Sequence, residues 1–72
     1  MPRTPRDLSQ ARAVQALVRK GGVERRAKGG HRIVKMLNGN SIPVPTGRLK
    51  PGTLQAIVRG AGLTMDEFIE LL

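Results

Sequence analysis

The chain has 72 residues, room for one small domain with a single modest core, and no cysteine, which excludes disulfide staples, a thiolate nucleophile and a cysteine-built zinc cluster. Thirteen Lys and Arg face five acids for a formal net charge of +8, and three of those acids (Asp66, Glu67, Glu70) fall in the last seven residues. A field of this sign favours polyanions, nucleic acid above all, through phosphate contacts and counterion release.

The first predicted element is a helix. Thr4 followed by Pro5, with Asp7 close behind, reads as an N-cap, a first-turn proline and an acid at the positive helix end. Leu8, Ala11, Val14, Leu17 and Val18 then recur at helical spacing, with Gln10, Arg12 and Arg19 facing elsewhere, until Gly21-Gly22 stops the run. Three strands follow: a charged one from Val23 to Lys28, a second from His31 to Leu37 after the Gly29-Gly30 turn, and a third from Ser41 to Pro45. Asn38-Gly39-Asn40 marks the hairpin between the last two. Pro51 opens a second helix carrying Leu54, Ile57, Val58 and Ala61 on one face, and Gly60 and Gly62 loosen and end it. Thr64-Met65-Asp66-Glu67 is a capping box for a short last helix with Phe68, Leu71 and Leu72 as its apolar contacts. These pieces predict an α+β domain spanning residues 1–72, with helices on one face of a three-stranded antiparallel sheet.

Two features orient that sheet. Pro43 and Pro45 are two apart, so their missing donors lie on one side of the third strand, which is therefore an edge. A three-residue loop at 38–40 pairs Met36 with Ile42 and Val34 with Val44, making a clean apolar face, with Asn40 in the left-handed conformation. His31, Ile33 and Lys35 then share the opposite, open face.

Seven basic residues lie between Arg19 and Lys35, and the chain's only histidine sits among them in Lys28-Gly29-Gly30-His31-Arg32-Ile33-Val34. Other chemistry lacks its residues. The paired glycines form neither a phosphate loop nor a dinucleotide fingerprint, the carboxylates offer no acid/base pair or magnesium site, and Ser9 and Ser41 have no nucleophile-elbow context. Phe68 alone makes no base-stacking platform. An imidazole ringed by cations suits RNA, which carries its own nucleophile in the 2′-hydroxyl. A neutral imidazole takes that proton while Arg and Lys stabilise the charge building on phosphorus, with no cofactor and no metal. On this reading His31 is the candidate base, and Lys28, Arg32 and Lys35, with Arg25 and Arg26, are the candidate phosphate contacts. No apolar run resembles a signal peptide or reaches the ~20 residues of a membrane span, which points to the cytoplasm.

Gly21, Arg25 to Lys28, Gly30-His31 opening a strand, Asn38-Gly39, Val44-Pro45, Lys50-Pro51-Gly52-Thr53-Leu54, Ala61-Gly62-Leu63-Thr64 and Glu67-Phe68 together resemble the HicA-type mRNA interferase toxins. The resemblance runs from about Leu8 to Leu72. It implies a double-stranded-RNA-binding-domain-like fold, metal-independent RNA cleavage by the histidine matching His31, and neutralisation by a HicB-like antitoxin. The antitoxin would cover the face holding His31, Ile33 and Lys35. The chain departs from the family pattern at four places. Gly22 and Val34 stand where aromatic residues are usual, Gly30 replaces the commoner serine, and Gly47 stands where many members carry a second histidine.

Two other readings use the same residues. A non-catalytic binder of double-stranded RNA needs only the basic face and the fold. A helix-turn-helix over Thr53 to Leu72 would want cations on its second helix, which instead carries Asp66, Glu67 and Glu70.

Overall fold

The computed structural model describes residues 4–26 and 28–72, Lys28 by its backbone only. In chain order the elements are β1 (Leu8–Ser9), α1 (Gln10–Arg19), β2 (Val23–Arg26), a 3-10 turn (Lys28–Gly30), β3 (Arg32–Lys35), β4 (Ser41–Val44), β5 (Arg48–Leu49), α2 (Pro51–Gly60) and α3 (Met65–Glu70). Strands β2, β3 and β4 form an antiparallel sheet in that order, and β1 pairs with β5. The architecture is α+β with a double-stranded-RNA-binding-domain-like arrangement, and β4 is an edge, as Pro43 within it requires.

The entry to α1 differs from the sequence expectation. Ser9, not Thr4, is the N-cap, its hydroxyl accepting from the Arg12 N–H at 3.3 Å. Asp7 takes a positive φ of 55°, which Asp tolerates better than most residues, and the chain turns there into β1. Leu8 is consequently a strand residue opposite Leu49, both buried, rather than the first rung of a helical stripe. The buried face of α1 is Ala13, Val14, Ala16 and Leu17, while Ala11 is exposed and Val18 is 43% exposed. Both long helices end as their glycines predict. Gly21 and Gly62 adopt positive φ, and the next residues, Gly22 and Leu63, donate back to the carbonyls of Leu17 and Val58 in Schellman closures. The capping box at Thr64 and Glu67 is complete, with reciprocal bonds of 3.1 and 3.0 Å.

The hairpin register is also corrected. Val34 faces Ile42 and Arg32 faces Val44, a shift of two from the expected pairing. The loop is Leu37–Gly39, closed by the Met36 N–H donating to the Asn40 carbonyl at 2.8 Å, and Gly39 holds the left-handed position at φ 91°. Glycine takes that conformation without steric penalty, whereas asparagine does not, so the loop slides to put Gly39 there. Because the slip is two residues, the faces stay as predicted, and Val34, Met36, Ile42 and Val44 are buried. The strands are shorter than expected. His31 precedes β3, Leu37 is in the turn, and Pro45 lies past β4. The expected end of β2 at Ala27 lies outside the described residues.

Helices α1, α2 and α3 bring Leu17, Leu54, Ile57, Val58 and Phe68 onto this sheet face, and the aromatic ring is fully buried. Gly22 explains how the core does without an aromatic residue at that position. A Cβ there would lie 2.5 Å from Val34 Cγ1, 2.8 Å from Met36 Sδ and 2.9 Å from the Leu17 carbonyl oxygen, so side chains from β3 and its extension already fill the space. Gly22→Ala is expected to destabilise the fold by about 1–3 kcal/mol, the usual scale for overpacking. Chemical denaturation checks this, and a variant as stable as the wild type would contradict the packing described.

Candidate nucleic-acid interface and histidine site

Between β2 and β3 the chain reverses through Gly29 and Gly30, both at positive φ (75° and 80°), and delivers His31 exposed at the start of β3. Glycine at position 30 is required twice over. Its backbone is left-handed, and a Cβ there would sit 2.8 Å from Thr46 Cγ2. The departure from the commoner serine thus accompanies close packing of Thr46 on this loop.

The corner is tied together by Gln10, the first residue of α1. Its side-chain amide donates to the Gly30 carbonyl at 2.9 Å and to the Val44 carbonyl at 3.0 Å, and its backbone N–H donates to the Gly47 carbonyl at 3.1 Å. Position 47 therefore belongs to the same corner as Gly30, and it is a glycine at φ 82° with open space around its Cα. Helical periodicity turns Gln10 away from the apolar stripe and assigns it no role. Nothing in its local pattern marks it, because its side-chain partners lie 20 and 34 residues away.

The strand pairing sorts the basic residues into two groups. Arg25 lies opposite Ile33 and Val23 opposite Lys35, so these four share the sheet face turned away from the buried Val34 and Ile42. Arg26 and Arg32 lie opposite each other on the alternate side. The Arg32 guanidinium grips Glu24 in a two-pronged ion pair, Nε to Oε2 and Nη2 to Oε1, both at 2.7 Å. Arg32 and Lys35 are thus separated to opposite faces, and Arg32's charge is matched by an acid. The Lys28 side chain lies outside the described residues.

The uncovered face is also apolar. Val23 is 59% and Leu37 83% exposed, Leu37 lying over Gly21, while Ile33 is half-buried and Pro43 exposed. An open groove of about 440 Å³ lies elsewhere, lined by Thr4, Gln55, Arg59, Met65 and neighbours, and includes none of the candidate base, phosphate-contact or antitoxin-facing residues. Among the described residues no helix is long and apolar enough to cross a membrane.

Fold and surface together define a small basic α+β protein with a lone exposed imidazole beside a cationic, partly apolar sheet face. Residues 11–63 match the family model described as the HicA toxin of bacterial toxin–antitoxin systems, and the chain belongs to that family. A comparison with curated proteins returned no match.

Two carboxylates lie below their ordinary range. The Arg32 side chain holds Glu24 down, and the Thr64 backbone N–H, reinforced by the Thr64 hydroxyl, holds Glu67 down. A depressed carboxylate contributes stability that is in place above the ordinary glutamate value near about pH 4.3 and is lost as pH falls through the folded value. Glu24→Gln is therefore expected to lower the melting temperature modestly at neutral pH, both partners of the pair being about one-third exposed. The difference from wild type should shrink between about pH 5 and pH 3. Thermal melts across that range check the sign, and a constant offset would contradict it.

Proposed function

We propose that the chain is a metal-independent endoribonuclease, the mRNA-cleaving toxin of a toxin–antitoxin pair, with His31 as its general base. The observation that carries this reading is the exposed His31 on its glycine corner at the edge of a cationic face, in a chain of the HicA family. His31 removes the 2′-hydroxyl proton, the 2′ oxygen attacks the adjacent phosphorus, and the bond to the 5′ oxygen breaks. The products are a 2′,3′-cyclic phosphate and a 5′-hydroxyl, the leaving oxygen taking its proton from water or a nearby cation. Because the substrate supplies its own nucleophile, no metal-activated water is needed. The same requirement selects RNA over DNA, which lacks the 2′-hydroxyl.

Arg25 and Lys35 on the open face hold the phosphates near His31, with Lys28 retained as a contact on its sequence position alone, whereas Arg26 lies on the alternate side with Arg32. Arg32 joins them only by sharing its guanidinium with Glu24. An antitoxin of HicB type, acidic where it meets the hairpin, covers Ile33, Lys35 and His31. The exposed Val23 and Leu37 give it apolar area, and the surrounding cations give it direction.

Purified protein is expected to cut single-stranded RNA in EDTA, and His31→Ala to lose at least ~10²-fold in rate. Undiminished cleavage by that variant would end the assignment. The fold itself favours one competing reading, a non-catalytic binder of double-stranded RNA, for which His31→Ala would leave binding intact and no cleavage would ever be seen. A helix-turn-helix finds less support, since α3 buries Phe68 and commits Glu67 to its cap. Replacing Arg25 and Lys35 together by Ala is expected to reduce the slope of log affinity against log salt by about 0.7 for each phosphate of a single-stranded RNA that is no longer neutralised. An unchanged slope would place the RNA on another surface.

A further inference from the structure

The β3–β4 ladder stops at Arg32–Val44, so His31 and Pro45 lie just past its last pair. His31 stands one residue beyond that last pair, on a chain entering through two consecutive glycines at positive φ. Glycine carries the largest backbone entropy of any residue, so this lead-in does not order itself. Gln10 takes over where the ladder ends. Its two amide protons go to the Gly30 and Val44 carbonyls, one on each side of the broken ladder, and its own N–H goes to Gly47.

The Gly30 carbonyl belongs to the peptide unit that also contains the His31 nitrogen and ends at the His31 Cα. A hydrogen bond to that oxygen therefore fixes the plane from which the imidazole projects. The Thr46 methyl, packed on Gly30, closes the other side of the same corner. Gln10 itself is anchored as the first residue of a ten-residue helix whose buried face lies in the core, so the reference frame it imposes is rigid.

We infer that Gln10 is the positioning residue of this site. It holds the Gly30–His31 peptide against the ends of α1 and β4, and through it sets where the His31 imidazole meets the 2′-hydroxyl. The inference rests on the reading of His31 as the general base. Displacing a base by about 1 Å commonly costs two orders of magnitude in rate while leaving substrate binding alone.

The experiment compares wild type, Gln10→Met (similar length, no donors), His31→Ala and the double variant. Single-turnover cleavage and binding of one single-stranded RNA are measured, together with backbone amide relaxation at Gly30 and His31 by NMR. Gln10→Met is expected to cleave ~10–100-fold more slowly with RNA affinity unchanged. It should show new mobility at Gly30 and His31, and make no further difference on top of His31→Ala. A wild-type rate, a loss of affinity without loss of rate, or an equal loss in the His31→Ala background would overturn the inference. If Gln10→Met does not fold, Gln10→Asn, one methylene too short to span both carbonyls, takes its place with the same expectations. If wild type and His31→Ala cleave alike, the reading of His31 as base fails, and the relaxation data then decide Gln10 alone. Mobility at Gly30 and His31 in the variant upholds the positioning role, and an unchanged profile refutes it.

Discussion

Helices cover one face of a three-stranded sheet, and the period of two along each strand sends neighbouring residues to opposite fates. Val34 and Ile42 close the core; Ile33 and Pro43, one step away, do not. Among the described residues, Val23, Arg25, Lys35 and Pro43 on the second face are exposed. The composition of that face follows from the strand pairing. Arg25 and Lys35 are delivered there beside Val23 and Ile33, whereas Arg32, adjacent in sequence to both His31 and Ile33, is turned away and engaged by Glu24.

The basic surface depends as much on where the acids go as on how many bases there are. Glu67 accepts from its own helix cap and lies 3.9 Å from Lys20, so it serves α3 and the seam with α1. Arg19 reaches across the same seam to the carbonyl oxygen of Leu71 at 2.7 Å. Glu67 is thus engaged beside the end of α1. Glu24 is the acid that remains in the sheet, and its cost to the cationic field is one guanidinium. In exchange it fixes Arg32 beside the residue that leads into the strand, through bonds of the strongest side-chain geometry.

Much of this was legible in the sequence because it is written in local rules. The Schellman closures at Gly21 and Gly62, the capping box at Thr64, the edge position of the proline strand and the parity of Val34 against Ile33 all follow from residues within a few positions of each other. The register differs by two because Asn40 and Gly39 both tolerate positive φ, and the lower steric penalty of Gly39 decides it. The β1–β5 pair escapes notice because two-residue strands have no periodicity, and Leu8 fits a helical stripe as well as it fits a strand. Thr4-Pro5 is a good cap signal overridden by the pairing of Leu8 with Leu49. Gln10 is illegible for a different reason. A glutamine at the start of a helix is ordinary, and its meaning comes from carbonyls that only the tertiary fold brings within reach.

Gly47 stands where these constraints meet. Its carbonyl receives the Gln10 N–H, and its φ of 82° is what turns the chain from Pro45 toward β5. A histidine at this position would have to adopt a left-handed backbone, a conformation that non-glycine residues take only at a steric penalty. The turn that lets Gln10 clasp Gly30 and Gly47 at once is therefore one that disfavours a second imidazole in the same corner. This chain has a single histidine, next to a glycine whose carbonyl Gln10 ties to the start of α1. The chemistry proposed for it asks more of the placement of one base than of the presence of two.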